Sequence, residues 1–207
     1  VHAGFATLCK EWICANIARH LQLPIPEFEI LDVPLRLFET WNSAKGGNAP
    51  RLVNSGCPYV FGSRIVGDVK DVLNSNELKA KRVDVGTMGR ILMFDRMIRN
   101  CDRTDGNSNL LMTSSRFPLI YIIDHNSAFD KSFDRDEFMR NHILRDFYSS
   151  TSQEDRDGFR TDAMKFVDDG LLSDVKSQMP DVWLDSLMEY DAGFFEDVEE
   201  TLAKEVE

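Results

Sequence analysis

Residues 94–129, FDRMIRNCDRTDGNSNLLMTSSRFPLIYIIDHNSAF, decide how this chain is read. Met88, Ile91, Leu92, Phe94, Met97 and Ile98 recur at helical spacing, so a helix over 84–99 runs into the stretch. It gives way at Asn100–Asn109 to a polar segment rich in Asn, Asp and Gly, the residues of turns. Leu110–Met112 and Leu119–Ile123 are apolar runs of strand length joined by TSSRFP, and they predict a hairpin. Asp124 follows the second strand directly. A loop carrying Asp102 and Asn107 is thus succeeded by a hairpin that delivers Asp124 at its far end.

Working outward, Phe5, Leu8, Cys9, Trp12, Ile13, Ile17 and Leu21 predict a helix over 3–21, which Pro24 and Pro26 stop. Residues 28–33 and 58–63 read as strands. Residues 34–57, with Gly46-Gly47 and Pro50, read as a loop with a helical turn. Beyond Asp134 the pattern is helical over 138–148, 163–175 and 181 to the end. Trp183, Leu187, Met188, Phe194 and Phe195 are expected in the core, and the acidic 196–207 is expected as a solvated last helix. This order of elements predicts an α+β fold.

The chain has 207 residues, 43% of them hydrophobic, with 24 Lys plus Arg against 35 Asp plus Glu and a net charge of −11. That length and apolar share suit a folded domain, and the acidity argues against broad nucleic-acid or anionic-membrane binding. No apolar run approaches the ~20 residues of a membrane span. The four cysteines (Cys9, Cys14, Cys57, Cys101) show no C-x-x-C spacing and the four histidines no zinc spacing, so reduced thiols and a cytoplasmic location are expected. Ala44-Lys-Gly-Gly-Asn48 lacks the spacing of a phosphate-binding P-loop.

The chemistry lies in Asp102, Asn107 and Asp124. Phosphoryl transfer needs a carboxylate beside the acceptor hydroxyl, and an amide oxygen plus a second carboxylate for Mg²⁺ on the nucleotide phosphates. Taken singly, each loop is ordinary turn chemistry. A calcium loop fails, because placing Gly106 at its sixth position puts Cys101 first and Met112 twelfth. The combined order of D-x-x-x-x-N, two apolar strands and Asp is that of a kinase catalytic loop and its metal-binding aspartate.

DRTDGNSNLL followed by LIYIIDHN resembles the HipA-like kinases, particularly their smaller branch. The resemblance extends to Lys10–Glu27, similar to that family's helix with an L-x-L-P-x-P-E exit, and to Phe61-Gly62-Ser63, an F-G-S element near the link between lobes. It covers roughly residues 4–130 and implies a two-lobed protein-kinase-like fold. Residues 1–63 would be the remainder of the N-lobe and the link, and 64–207 a mostly helical C-lobe. It further implies Asp102 as catalytic base, Asn107 and Asp124 as metal ligands with Asn109 as an alternate, and Phe61, Gly62 and Ser63 at the nucleotide. Arg103 would either balance the charge of the base or pair with Asp95 or Asp105. Glu11 would either face a phosphate-anchoring lysine or be a solvated charge, and His125 would either orient Asp124 or be a turn residue.

The implied cofactors are ATP and Mg²⁺. The implied partners are a protein substrate with a Ser or Thr hydroxyl and an antitoxin, in a bacterial toxin–antitoxin or stress circuit. A pseudokinase serving as an interaction module, or a kinase with a lipid or small-molecule acceptor, are the alternatives. The chain opens at Val1 with no glycine-rich strand or lysine ahead of the first helix, which predicts a truncated N-lobe and weak nucleotide binding. Without those strands, Phe5, Leu8, Trp12 and Ile13 are expected to form an uncovered apolar face, and self-association through helix 3–21 follows from it.

Overall fold

In the computed structural model, which describes residues 2–34, 36–37, 40 and 58–206, the first helix α1 spans His2–His20. Its apolar stripe is too wide for a surface helix: Phe5, Leu8, Cys9, Trp12, Ile13, Cys14, Ile17 and Ala18 are all buried. It ends where Gln22 takes a left-handed conformation (φ 55°) and the Leu23 N–H reaches back to the Ala18 carbonyl at 2.9 Å. Pro24 prevents resumption.

Strands β1 (Phe28–Asp32) and β2 (Tyr59–Ser63) pair antiparallel, with Phe28 opposite Ser63 and Asp32 opposite Tyr59. Most of the loop expected over 34–57, including Ala44–Asn48 and Cys57, lies outside the described residues. A second sheet, ordered β3-β4-β5, joins β3 (Val69–Asp71) to the expected hairpin, β4 (Leu110–Thr113) and β5 (Ile120–Ile122). Between them come α2 (Ser75–Lys79), capped by Asn74, and α3 (Val85–Met97), capped by the Asp84 side chain on the Thr87 N–H. The helical remainder is α4 (Arg135–Asn141), α5 (Arg145–Tyr148), α6 (Gln153–Asp168), α7 (Leu171–Ser177), α8 (Asp181–Tyr190) and α9 (Phe194–Val206). The fold is α+β, with small antiparallel sheets among many helices.

Several expectations need correction. The helix expected over 138–148 is broken, because His142 turns extended (φ −61°, ψ 131°) and its side chain goes inward. The one expected over 163–175 is two, since Gly170 at φ 67° separates α6 from α7. Trp183, Leu187, Phe194 and Phe195 are core residues, but Met188 is 43% exposed. Helix α9 is solvated on its charged side only, because Val198 and Leu202 are buried.

One hydrophobic core runs from Phe5 to Leu202 and crosses the expected boundary at residue 63. Helix α1 packs chiefly on α8 and α7, with the Trp12 indole N–H on the Val175 carbonyl at 3.1 Å. The Trp183 indole N–H reaches the Tyr59 carbonyl at 3.3 Å. Phe5, Leu8, Trp12 and Ile13 are therefore covered within the chain, and the uncovered face on which self-association was expected does not arise. No helix among the described residues is long and apolar enough to cross a membrane.

Candidate active site

Helix α3 ends with Arg99 left-handed (φ 51°) and the Asn100 N–H on the Asp95 carbonyl at 2.8 Å, which releases the loop at Asn100. Arg103, fully buried, anchors that loop. Its Nε and Nη2 donate to the two Asp95 carboxylate oxygens at 2.7 and 3.3 Å. Its Nη1 donates to the carbonyls of Ser108 (3.2 Å), Asn109 (2.5 Å) and Ile123 (3.5 Å). One guanidinium thereby staples the loop to the end of β5. Asn100 and His142 complete the shell of Asp95, at 3.2 Å from Oδ1 and 3.0 Å from Oδ2. The Leu144 N–H donates to His142 Nδ1 at 3.1 Å, so the proton that meets Asp95 sits on Nε2. Burial alone would push the Asp95 carboxyl up; Arg103 and His142 override it and hold its pKa far below the usual carboxylate range. Burial keeps His142 neutral by lowering its pKa. Arg103 is thus paired with Asp95 and not with Asp105, which accepts the Ser75 N–H at 2.7 Å and faces Arg145 at 3.6 Å.

On this frame the Asp102 carboxylate is held by two amides. Asn107 Nδ2 donates to Oδ1 at 2.7 Å and Asn109 Nδ2 to Oδ2 at 3.3 Å. The turn between is closed by Thr104 and Asn107 exchanging backbone hydrogen bonds at 3.0 and 3.2 Å, with Gly106 at φ 92°. The Ile123 N–H donates to the Asn109 carbonyl at 3.1 Å and sets Asp124 beside the loop. Asn109 (φ 49°) and Asp124 (φ 55°) are both left-handed, a conformation that Asn and Asp tolerate and that gathers at functional sites. The Asp124 carboxyl is shifted up, first by partial burial and then by Glu11, with Asp102 adding to the repulsion. The two aspartates accordingly act within one electrostatic field.

Glu11 is not a solvated charge. Its side chain is 13% exposed, and it accepts the His125 N–H at 2.9 Å. His125 does open a turn, with the Ala128 N–H on its carbonyl at 3.0 Å, but its ring is buried (1% exposed) and packs edge-on against Phe94.

A cleft of about 590 Å³ opens onto this cluster. Phe28, Phe61, Val69, Leu111 and Ile122 supply apolar lining, and Glu11, Asp124 and His125 line it too. Trp12 meets Phe28 edge-on at 5.5 Å, and Phe28 stacks on Phe61 at 5.8 Å, so the wall is aromatic and rigid. Phe61 and Ser63 line this cleft, whereas Gly62, one residue out of phase on β2, lines a second hollow with Arg19 and Leu31. The side chains around Glu11 and Asp124 offer oxygen from carboxylates and amides, the donor set of a hard cation such as Mg²⁺. Among the described residues no three His, Cys, Asp or Glu side chains form a complete metal cage.

Neither Asn100 nor His142 was expected to take part, and the role of His142 depends on a fold that returns residue 142 to the 100–109 loop. No local spacing signals that return.

No curated protein matches the sequence. The family model described as HipA-like kinase matches residues 1–206, and the chain belongs to the HipA-like kinase family.

Proposed function

We propose that the chain carries the catalytic base and metal ligands of an ATP- and Mg²⁺-dependent protein kinase that phosphorylates a serine or threonine hydroxyl. The observation behind this reading is the Asp102 carboxylate, clamped by Asn107 and Asn109 on a loop that Arg103 and the Asn109 carbonyl tie to Ile123, next to Asp124 in an apolar cleft. Bound Mg-ATP supplies the γ-phosphoryl group and the charge that neutralises its oxygens. Asp102 takes the proton of the acceptor hydroxyl as the new O–P bond forms, and ADP departs with the electrons of the broken one. Asn107 and Asn109 hold both carboxylate oxygens in one rotamer, so little reorientation is needed at that moment. Because Asn107 spends its Nδ2 on Asp102, its Oδ1 and the Asp124 carboxylate are the groups that would hold the cation. Phe28 and Phe61 would hold the adenine ring of the nucleotide against the aromatic wall. Family membership supports a protein acceptor, an antitoxin partner, and a cytoplasmic setting in a bacterial toxin–antitoxin or stress circuit.

The test is calorimetry with Mg-ATP, paired with phosphoryl transfer from labelled ATP. Asp102→Asn should lower the transfer rate by roughly 10²–10⁴ with little change in nucleotide affinity. Asp124→Ala should abolish transfer and weaken binding only when Mg²⁺ is present. Unchanged turnover in either variant would sink the assignment. Mg-ATP bound by the wild type with no transfer to any acceptor would favour a pseudokinase.

A further inference from the structure

Asp124 is secured on its N-terminal side by the Ile123 N–H on the Asn109 carbonyl and by Arg103 on the Ile123 carbonyl. Its C-terminal side is secured from a different part of the molecule. Glu11, 114 residues earlier on α1, accepts the His125 backbone N–H through Oε1 at 2.9 Å, and its Oε2 lies 3.4 Å from His125 Nδ1. No lysine or arginine among the described residues forms an ion pair with Glu11.

The histidine itself is informative. Its ring is 1% exposed, its Nε2 has no hydrogen-bond partner among the described residues, and it stands edge-on to Phe94 at 5.7 Å. A buried nitrogen without a partner is a desolvation cost with no compensating bond. Leucine would fill the same space beside Phe94 without that cost. What an imidazole adds is an Nδ1 that lies 3.4 Å from Glu11 Oε2.

We propose that Glu11 and His125 are positioning residues. Glu11 holds the backbone immediately after Asp124, the His125 imidazole holds Glu11, and α1 thereby aims the Asp124 carboxylate at the cation. The inference rests on reading Asp124 as a metal ligand, and it gives Glu11 a task other than facing a phosphate-anchoring lysine.

The test uses the full chain with His125→Leu, Glu11→Ala and Glu11→Gln. Three readouts are followed: amide hydrogen exchange of residues 123–126 without nucleotide, thermal midpoint, and Mg-ATP affinity. His125→Leu should leave the midpoint unchanged or raised, speed exchange at 124–126, and weaken Mg-ATP binding about tenfold, the scale for losing a group that orients a metal ligand. Such opposite signs would not come from a histidine with a packing role only, whose loss would lower midpoint and affinity together. Glu11→Ala should reproduce the exchange and affinity effects. Glu11→Gln, which keeps an oxygen for the His125 N–H, should stay within about threefold of the wild type.

Wild-type exchange and affinity in both His125→Leu and Glu11→Ala would overturn the positioning role while leaving the kinase reading intact. So would a glutamine variant as weak as the alanine one, because charge and not the hydrogen bond would then be the cause. A wild type that binds no Mg-ATP, with exchange still altered in the variants, would overturn the metal role of Asp124 and the positioning built on it.

Discussion

Two aspartates in this molecule are ionised under opposite pressures. Asp95 is buried and depressed, Asp124 is at a cleft and raised. A depressed carboxyl contributes stability above its unfolded pKa of about 3.9 and loses it as pH falls through the folded value. His142, also depressed, is neutral when folded, so its contribution is complete above about pH 6.5 and erodes below it. The urea midpoint should therefore decline in two stages on acidification, and His142→Gln should flatten the first. Asp95→Asn, which leaves the Arg103 guanidinium buried with a neutral partner, should cost about 3–5 kcal/mol by denaturant titration. Asp124 has the reverse sign. A raised carboxyl favours the folded state when protonated, and that advantage is lost as pH rises from the unfolded value to the folded one. Asp124→Asn should thus raise the thermal midpoint at pH 7 slightly, by about 1–2 °C given solvent screening at the cleft, while abolishing transfer. Asp102, Asn107 and Asp124 could be singled out in the sequence because they fall within one loop-and-hairpin stretch. Arg103, Asn109, Glu11 and His125 were also singled out there, but their contacts were not, and His142 went unread because it arrives from a distant segment.

Among the elements, α3 and the β4–β5 hairpin were legible for a physical reason. Each has enough apolar residues at one period to declare itself. Strand β3 and helix α2 have three and five residues, too few for any period, and β3 takes its hydrogen bonds from β4. The break between α4 and α5 was equally hidden, since it is made by His142 going inward to Asp95 and not by a proline or glycine. Packing between elements is also tight where sequence gives no hint. A Cβ on Gly89 of α3 would overlap Thr151 Oγ1, which is itself committed to the Phe147 carbonyl at 3.0 Å. Gly89→Ala should destabilise by about 1–3 kcal/mol despite its better helix propensity, read as a lowered urea midpoint with an unchanged slope.

For the molecule as a whole, the α+β class and the helical character of everything after Asp134 followed from the order of patterns. The packing of α1 did not: eleven buried apolar residues between Phe5 and Leu21 require cover on nearly every side, and α7 and α8 provide much of it. That mooring also decides how the cleft keeps its width. Swinging α1 away would separate Trp12 from Val175 and bare its buried face. The β1–β2 ribbon is tied at both ends, by Trp183 on the Tyr59 carbonyl and by Trp12 and Arg19 against the Phe28 ring. The aromatic side of the cleft is consequently a lintel resting on two helices, and it travels only as far as α1 and α8 let it.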